Sequence, residues 1–176
     1  MKKNYEMDMC SGPILGKLLT FTIPLIFSGI LQLLFNAADV IVVGRFAGSQ
    51  SLAAVGSTTA LINLMINIFI GLSVGVNVIV ARYYGAKREK DVQDTIHTAM
   101  ALSIVSGLFL IILGQLLSRP MLELMGTPDD VIDKSTIYMR IIFIGMPANM
   151  IYNFGSAILR AVGDTKRPLY FLTAAG

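Results

Sequence analysis

Apolar residues run along this chain in long stretches separated by short charged segments. Four stretches are long enough to cross a bilayer as helices, over about residues 18–43, 52–81, 94–117 and 134–160. At 1.5 Å per residue the first would rise about 39 Å, enough to cross a hydrocarbon core of about 30 Å with some tilt. A fifth stretch, 169–176, rises only about 12 Å and is incomplete as a span. Pro24 lies inside the first helix and Pro147 inside the fourth, and each is expected to kink its helix. The expected fold is an all-α polytopic membrane protein with four complete transmembrane helices plus the start of a fifth. A chain stopping within an apolar helix reads as the front part of a longer protein. The alternative is a complete small four-helix protein with an apolar tail.

Composition sharpens this picture. Of 176 residues, 55% are hydrophobic and 14% charged, and the mean hydropathy is +0.70. Soluble domains carry about 25% charged residues, and disordered chains combine high charge with few apolar residues. Both classes are excluded. The single cysteine, Cys10, leaves no intrachain disulfide and no thiolate cluster, and the single histidine, His97, leaves no His-based metal centre. A Gly-rich phosphate loop with a lysine is missing, so ATP hydrolysis is not expected, and with no soluble catalytic motif in the sequence the expectation is a non-enzyme without a cofactor. Gly71-Leu72-Ser73-Val74-Gly75 is a GxxxG pattern, which in a membrane helix signals close backbone packing. Residues 1–13 are polar and lack the pattern of a cleaved signal peptide.

The net charge of +3 and pI near 9.1 reflect loop lysines and arginines rather than a nucleic-acid partner. Lys2, Lys3 and Lys17, then Arg82, Lys87, Arg88 and Lys90, then Arg160, Lys166 and Arg167 fall on one side of the predicted helices. Arg45, Arg119, Lys134 and Arg140 fall on the other. The positive-inside rule places the N-terminus in the cytoplasm of a cell-membrane protein. Residues 45–51 then form a short outer turn. Residues 118–133 form a longer outer connection containing the turn signal Gly126-Thr127-Pro128-Asp129.

Candidate chemistry sits on polar residues inside the apolar runs. Asp39 is the one acid within the uninterrupted apolar runs of these stretches, residues 18–43, 52–81, 96–117 and 137–159. Ser28, Gln32, Asn36 and Asp39 are spaced four, four and three residues apart, a polar stripe along one helix face. Asn63 and Asn67 share a face of the second helix. Asn149 and Asn153, followed by Ser156, share a face of the fourth. The asparagine pairs fit either interhelical hydrogen-bond glue or the lining of a cavity. Asp39 fits function better, because a neutral asparagine would serve as glue at less cost. A carboxylate drawn out of water favours its neutral form, so it can take up a proton from one side and release it when access changes. Carboxylate and amide oxygens could equally hold Na⁺. His97 reads as an interfacial surface residue, with a proton relay as the alternative. Arg140 could snorkel or pair with an acid.

Three segments give the chain a family resemblance. The first holds Ile23-Pro24-Leu25, Gln32, Asn36 and Asp39-Val40-Ile41-Val42-Val43-Gly44-Arg45. The second is Leu52-Ala53-Ala54-Val55-Gly56. The third is Leu159-Arg160-Ala161-Val162-Gly163-Asp164-Thr165-Lys166-Arg167-Pro168. With these the chain resembles the N-terminal part of the multidrug and toxic compound extrusion (MATE) family. The resemblance implies part of the N-lobe of a twelve-helix, two-lobe transporter with an alternately accessible central cavity. It implies export of cationic or amphipathic small molecules in antiport with H⁺ or Na⁺. It also implies that Asp39 is the cation-coupling acid of the N-lobe, with its partner acid or amide in a helix beyond Gly176. The bilayer and the C-lobe of its own chain would then be its partners. Two other functions compete: a lipid-linked oligosaccharide flippase of the same superfamily, and a non-transporting four-helix membrane scaffold. A flippase cavity handling pyrophosphate should be cationic, whereas the intramembrane charge here is an anion.

The charge asymmetry predicts the orientation. A cysteine introduced at Lys87 should react only from the cytoplasm, and one at Gly48 only from outside. Labelling of the Lys87 site by an impermeant reagent on intact cells would reverse the topology.

Overall fold

In a bilayer only a helix satisfies every backbone N–H and C=O within a single segment, and the apolar runs fold accordingly. The structure is a computed structural model and describes residues 14–46 and 48–175. Within the helices, the side chains of residues 39, 43, 44, 46, 48–51 and 175 lie outside this description. Six helices follow in order: α1 (Ile14–Phe46), α2 (Gly48–Gly85), α3 (Glu89–Leu124), α4 (Asp129–Ile144), α5 (Met146–Ala161) and α6 (Lys166–Ala175). All regular structure among the described residues is helical. Three helices are long and apolar enough to cross a membrane, and α4 with α5 makes a fourth span if the pair counts as one.

The element boundaries differ from the sequence expectation in three places. The expected outer connection 118–133 is mostly helix. α3 runs through Pro120 to Leu124, held by the fully buried Leu122 and an ion pair one turn apart, Arg119 to Glu123 at 3.0 Å. Residues 48–51, expected as turn, belong to α2. The expected single fourth helix is two helices, bent by 47° at Gly145. Pro147 has no N–H to give to the Phe143 carbonyl, so the helical ladder cannot continue. Gly145 instead closes α4 with a tighter bond, its N–H donating to the Ile142 carbonyl at 3.0 Å.

Three turns share one design. After α2, α3 and α5, a residue with positive φ is followed by a pair of backbone bonds back into the helix end. Gly126 (φ 69) donates to the Glu123 carbonyl while Thr127 donates to Leu122. Gly163 (φ 86) donates to Arg160 while Asp164 donates to Leu159. Lys87 (φ 57) donates to Tyr84 while Arg88 donates to Tyr83. These are Schellman caps, which normally favour glycine at the left-handed position. Arg88 secures the lysine version, pairing with Asp91 at 2.7 Å and lying 5.1 Å from the Tyr83 ring centre.

The helices divide into two compact units. One holds residues 14–36, 73–100 and 153–175, and the other holds 37–72 and 101–152. In the second unit α3 presents a buried stripe of Ser103, Ser106, Gly107, Leu110, Gly114, Ser118 and Leu122. Steps of three and four keep these residues on one face. A Cβ at Gly107 would lie 2.5 Å from the Pro147 Cα, and one at Gly114 would overlap the Phe143 ring. Phe143 is fully buried there, and Met139 and Met150 of the same unit are fully buried too. Phe69 and Phe109 add a tilted ring pair with centres 6.4 Å apart. The GxxxG glycines behave differently. A Cβ added at Gly71 or Gly75 would meet nothing within 4 Å, so the close packing expected there occurs on α3 instead.

This assignment predicts a split among glycines. Gly107→Ala and Gly114→Ala should each destabilise by about 1–3 kcal/mol through overpacking. Gly71→Ala and Gly75→Ala should be neutral or slightly stabilising, since alanine is the better helix former by up to about 1 kcal/mol. Unfolding midpoints in detergent check this, and equal midpoints for the two pairs would contradict it.

Candidate functional site

The polar residues singled out from sequence lie on long helices, and the structure sorts them by side-chain length. Ser28 is buried, and its hydroxyl donates to the Pro24 carbonyl at 2.9 Å. Gln32 and Asn36, one and two turns further along α1, are exposed, and the Asn36 Nδ2 donates to the Gln32 carbonyl at 3.0 Å. On α2, Asn63 and Asn67 are likewise exposed, with the Asn67 Nδ2 donating to the Asn63 carbonyl at 2.7 Å. On α5, Asn149 is exposed, Asn153 half-buried and Ser156 buried. Asp39 belongs to α1, three residues beyond Asn36, and its side chain lies outside the described residues. Pro24 is buried within α1, which continues through it without interruption.

These residues fall in both units. Ser28, Gln32, Asn36 and Asn153 belong to the first; Asn63, Asn67 and Asn149 belong to the second. In Ser28, Asn36 and Asn67 the described bond turns back onto the same helix, four residues earlier. Such a bond uses one donor and leaves most of an amide's hydrogen-bonding capacity available. His97 is exposed on α3. Arg140 is exposed on α4, and its carbonyl accepts from the Gln115 Nε2 at 3.1 Å.

Sequence reasoning passed over two polar residues that the first unit makes prominent. Asn77 of α2 donates from Nδ2 to the Ala157 carbonyl of α5 at 2.6 Å, an interhelical tie. Asp164 is completely buried between α5 and α6. Its Oδ1 accepts from the backbone N–H groups of Lys166 and Arg167, both at 3.1 Å. Its Oδ2 lies 3.1 Å from the Arg167 Nε, close enough for an ion pair but not aligned for a hydrogen bond. The signal for Asp164 was present in the sequence: an aspartate after glycine and just before a helix is an N-cap pattern. Asn77 carried no such signal, because an isolated asparagine on a helix does not reveal its neighbour.

Among the described residues no cluster of His, Cys, Asp or Glu could hold a metal ion. Among the described residues the arrangement is a set of apolar helices on which Gln32, Asn36, Asn63, Asn67 and Asn149 are exposed.

Comparison with known proteins agrees with this description. The family model MatE matches residues 24–175. The chain is 35% identical over 152 residues to a probable multidrug resistance protein, YoeA, of Bacillus subtilis (strain 168), covering 86% of this chain and 33% of that protein. It is 27% identical to the FAD transporter of Shewanella oneidensis, covering 95% of this chain and 37% of that one. Among solved structures, it superposes with a TM-score of 0.82 on a crystal structure of MATE in complex with MaD3S, at 27% identity over 89% of this chain and 35% of that chain. A MOP superfamily transporter from Pyrococcus furiosus, described as having a binding pocket of reverse polarity, gives the same TM-score at 27% identity, over 89% of this chain and 34% of that one. The chain thus spans about one third of the length of these relatives. With a family match along most of its length and relatives that are transporters, this chain belongs to the MatE family.

Proposed function

We propose that these residues form part of the N-lobe of a secondary transporter. It exports cationic or amphipathic small molecules across the cell membrane in exchange for H⁺ or Na⁺, and Asp39 couples the ion. The observation that carries this reading is the position of Asp39. It is the one acid in the long apolar runs of a MatE-family chain, on the helix face that also carries Gln32 and Asn36. A charge at a membrane-helix centre costs about 2.5–3.5 kcal/mol, less near the interface, which disfavours it as mere packing. The exposed Gln32 and Asn36 amides supply neutral donors and acceptors on the same face. Relatives described as multidrug resistance proteins support the export of diverse small molecules.

The sign of the substrate charge is the finer part of the proposal. One relative carries FAD, an anionic molecule, and one structural neighbour has a pocket of reversed polarity. The intramembrane anion here favours a cation. The cytoplasmic N-terminus follows from the basic-residue asymmetry.

The test uses the full-length transporter reconstituted in vesicles, with a cationic dye and FAD offered separately under an imposed H⁺ gradient and then an imposed Na⁺ gradient. Wild type is expected to move the dye and not FAD under one of the two gradients. Asp39→Asn keeps size and hydrogen bonding, inserts normally and loses gradient-driven transport. Asp39→Glu retains part of it, and Asn36→Leu weakens coupling less than Asp39→Asn. Wild-type rates for Asp39→Asn under both gradients would remove the coupling role. Uptake of FAD in place of the dye would reverse the substrate class, and no transport by wild type would favour the scaffold reading.

A further inference from the structure

The turn between α5 and α6 is built more tightly than a connection between two membrane segments requires. Gly163 takes positive φ and closes α5 by donating to Arg160, while the Asp164 N–H donates to Leu159 at 2.9 Å. The same Asp164 then starts α6, its Oδ1 accepting from the N–H groups of Lys166 and Arg167. Asp164 and Pro168 are fully buried, and Thr165 is only 3% exposed, although Arg160, Lys166 and Arg167 surround them in sequence. One residue thus completes the C-terminal cap of one helix with its backbone and the N-terminal cap of the next with its side chain.

We propose that Asp164 is a positioning residue that makes the last turns of α5 and the start of α6 a single stiff joint, so that the two move together during transport. The driving chemistry is local. A helix start leaves N–H groups without intrahelical partners, and a carboxylate oxygen satisfies two of them here while the helix dipole favours its charge. The two N–H groups are part-buried and the carboxylate that receives them is fully buried, so loss of the cap removes their partner and lets α6 fray or swing. Oδ1 carries the capping role, and the Arg167 Nε beside Oδ2 neutralises the buried charge. Asparagine and serine cap about as well as aspartate, whereas alanine does not.

The inference rests on the transport reading only for its turnover measurement. The test places spin labels at Gly155, where an added side chain has open space, and at the exposed Phe171, in full-length protein carrying Cys10→Ser. Wild type, Asp164→Asn and Asp164→Ser should give the same narrow distance distribution. Asp164→Ala should broaden it, with about a fivefold rise in the frayed population. In vesicles Asp164→Ala should lower kcat while KM stays near wild type, and Asp164→Asn should restore kcat. A distribution as narrow in Asp164→Ala as in wild type, or as broad in Asp164→Asn as in Asp164→Ala, would overturn the joint. So would broadening with unchanged kcat. Should Asp164→Ala fail to accumulate in the membrane, accumulation becomes the readout: recovery by Asp164→Asn and Asp164→Ser supports the proposal, and failure of Asp164→Asn overturns it. The distances need no transport, so an inactive wild type would count against the function reading alone.

Discussion

The near-contact of α3 with the α4–α5 pair at Gly107 and Gly114 is the constraint on which the second unit depends. Lipid tails are as apolar as leucine, so burying hydrocarbon between helices gains little, and close packing must supply the attraction. Removing two side chains brings Pro147 and Phe143 directly onto the α3 backbone. The neighbouring buried positions on α3 are short as well: Ser103, Ser106 and Ser118. Ser118 returns its hydroxyl hydrogen to the Gly114 carbonyl, so the polar group costs nothing in the interface and the surface stays small.

Four buried hydroxyls and four exposed amides show two ways of placing polar groups on these helices. Ser28, Thr58, Ser118 and Thr136 are buried, each donating to a carbonyl four residues back. Gln32, Asn36, Asn63 and Asn67 are exposed. A hydroxyl has one hydrogen to place, and its own helix takes it. An amide has two hydrogens and an acceptor, and its own helix cannot satisfy them all. At these positions the buried serines and threonines serve packing, whereas Asn77 of α2 meets its need by reaching the Ala157 carbonyl of α5.

Much of this organisation was legible in the sequence. Long apolar runs specify membrane helices because the bilayer leaves the backbone so few alternatives, and Gly126-Thr127-Pro128-Asp129 marked a real turn. Local signals misplaced other features. The third apolar run ends at residue 117, but Leu122 finds enough burial beyond it to continue α3. Pro147 pointed to a kink, yet the break falls two residues earlier, because the missing N–H is felt on the preceding turn. The GxxxG pattern specified where a neighbour could approach, not whether one does. For the candidate site, the sequence singles out Asp39 by its apolar surroundings, and its side chain lies outside the described residues. The Asn77 tie to α5 was not legible, since it depends on how segments distant in sequence meet.

The bend at Gly145 has a mechanical corollary. Pro147 sits in the notch left by Gly107, and Phe143 in the notch left by Gly114, one on either side of the break. Sliding α4 and α5 along α3 by one helical step would drive both side chains out of their notches and into Leu110 and its neighbours at once. Swinging one arm about the elbow disturbs only one notch. The pair is therefore keyed against translation along α3, as two pins in two holes hold a bent plate in register where one pin would let it slip.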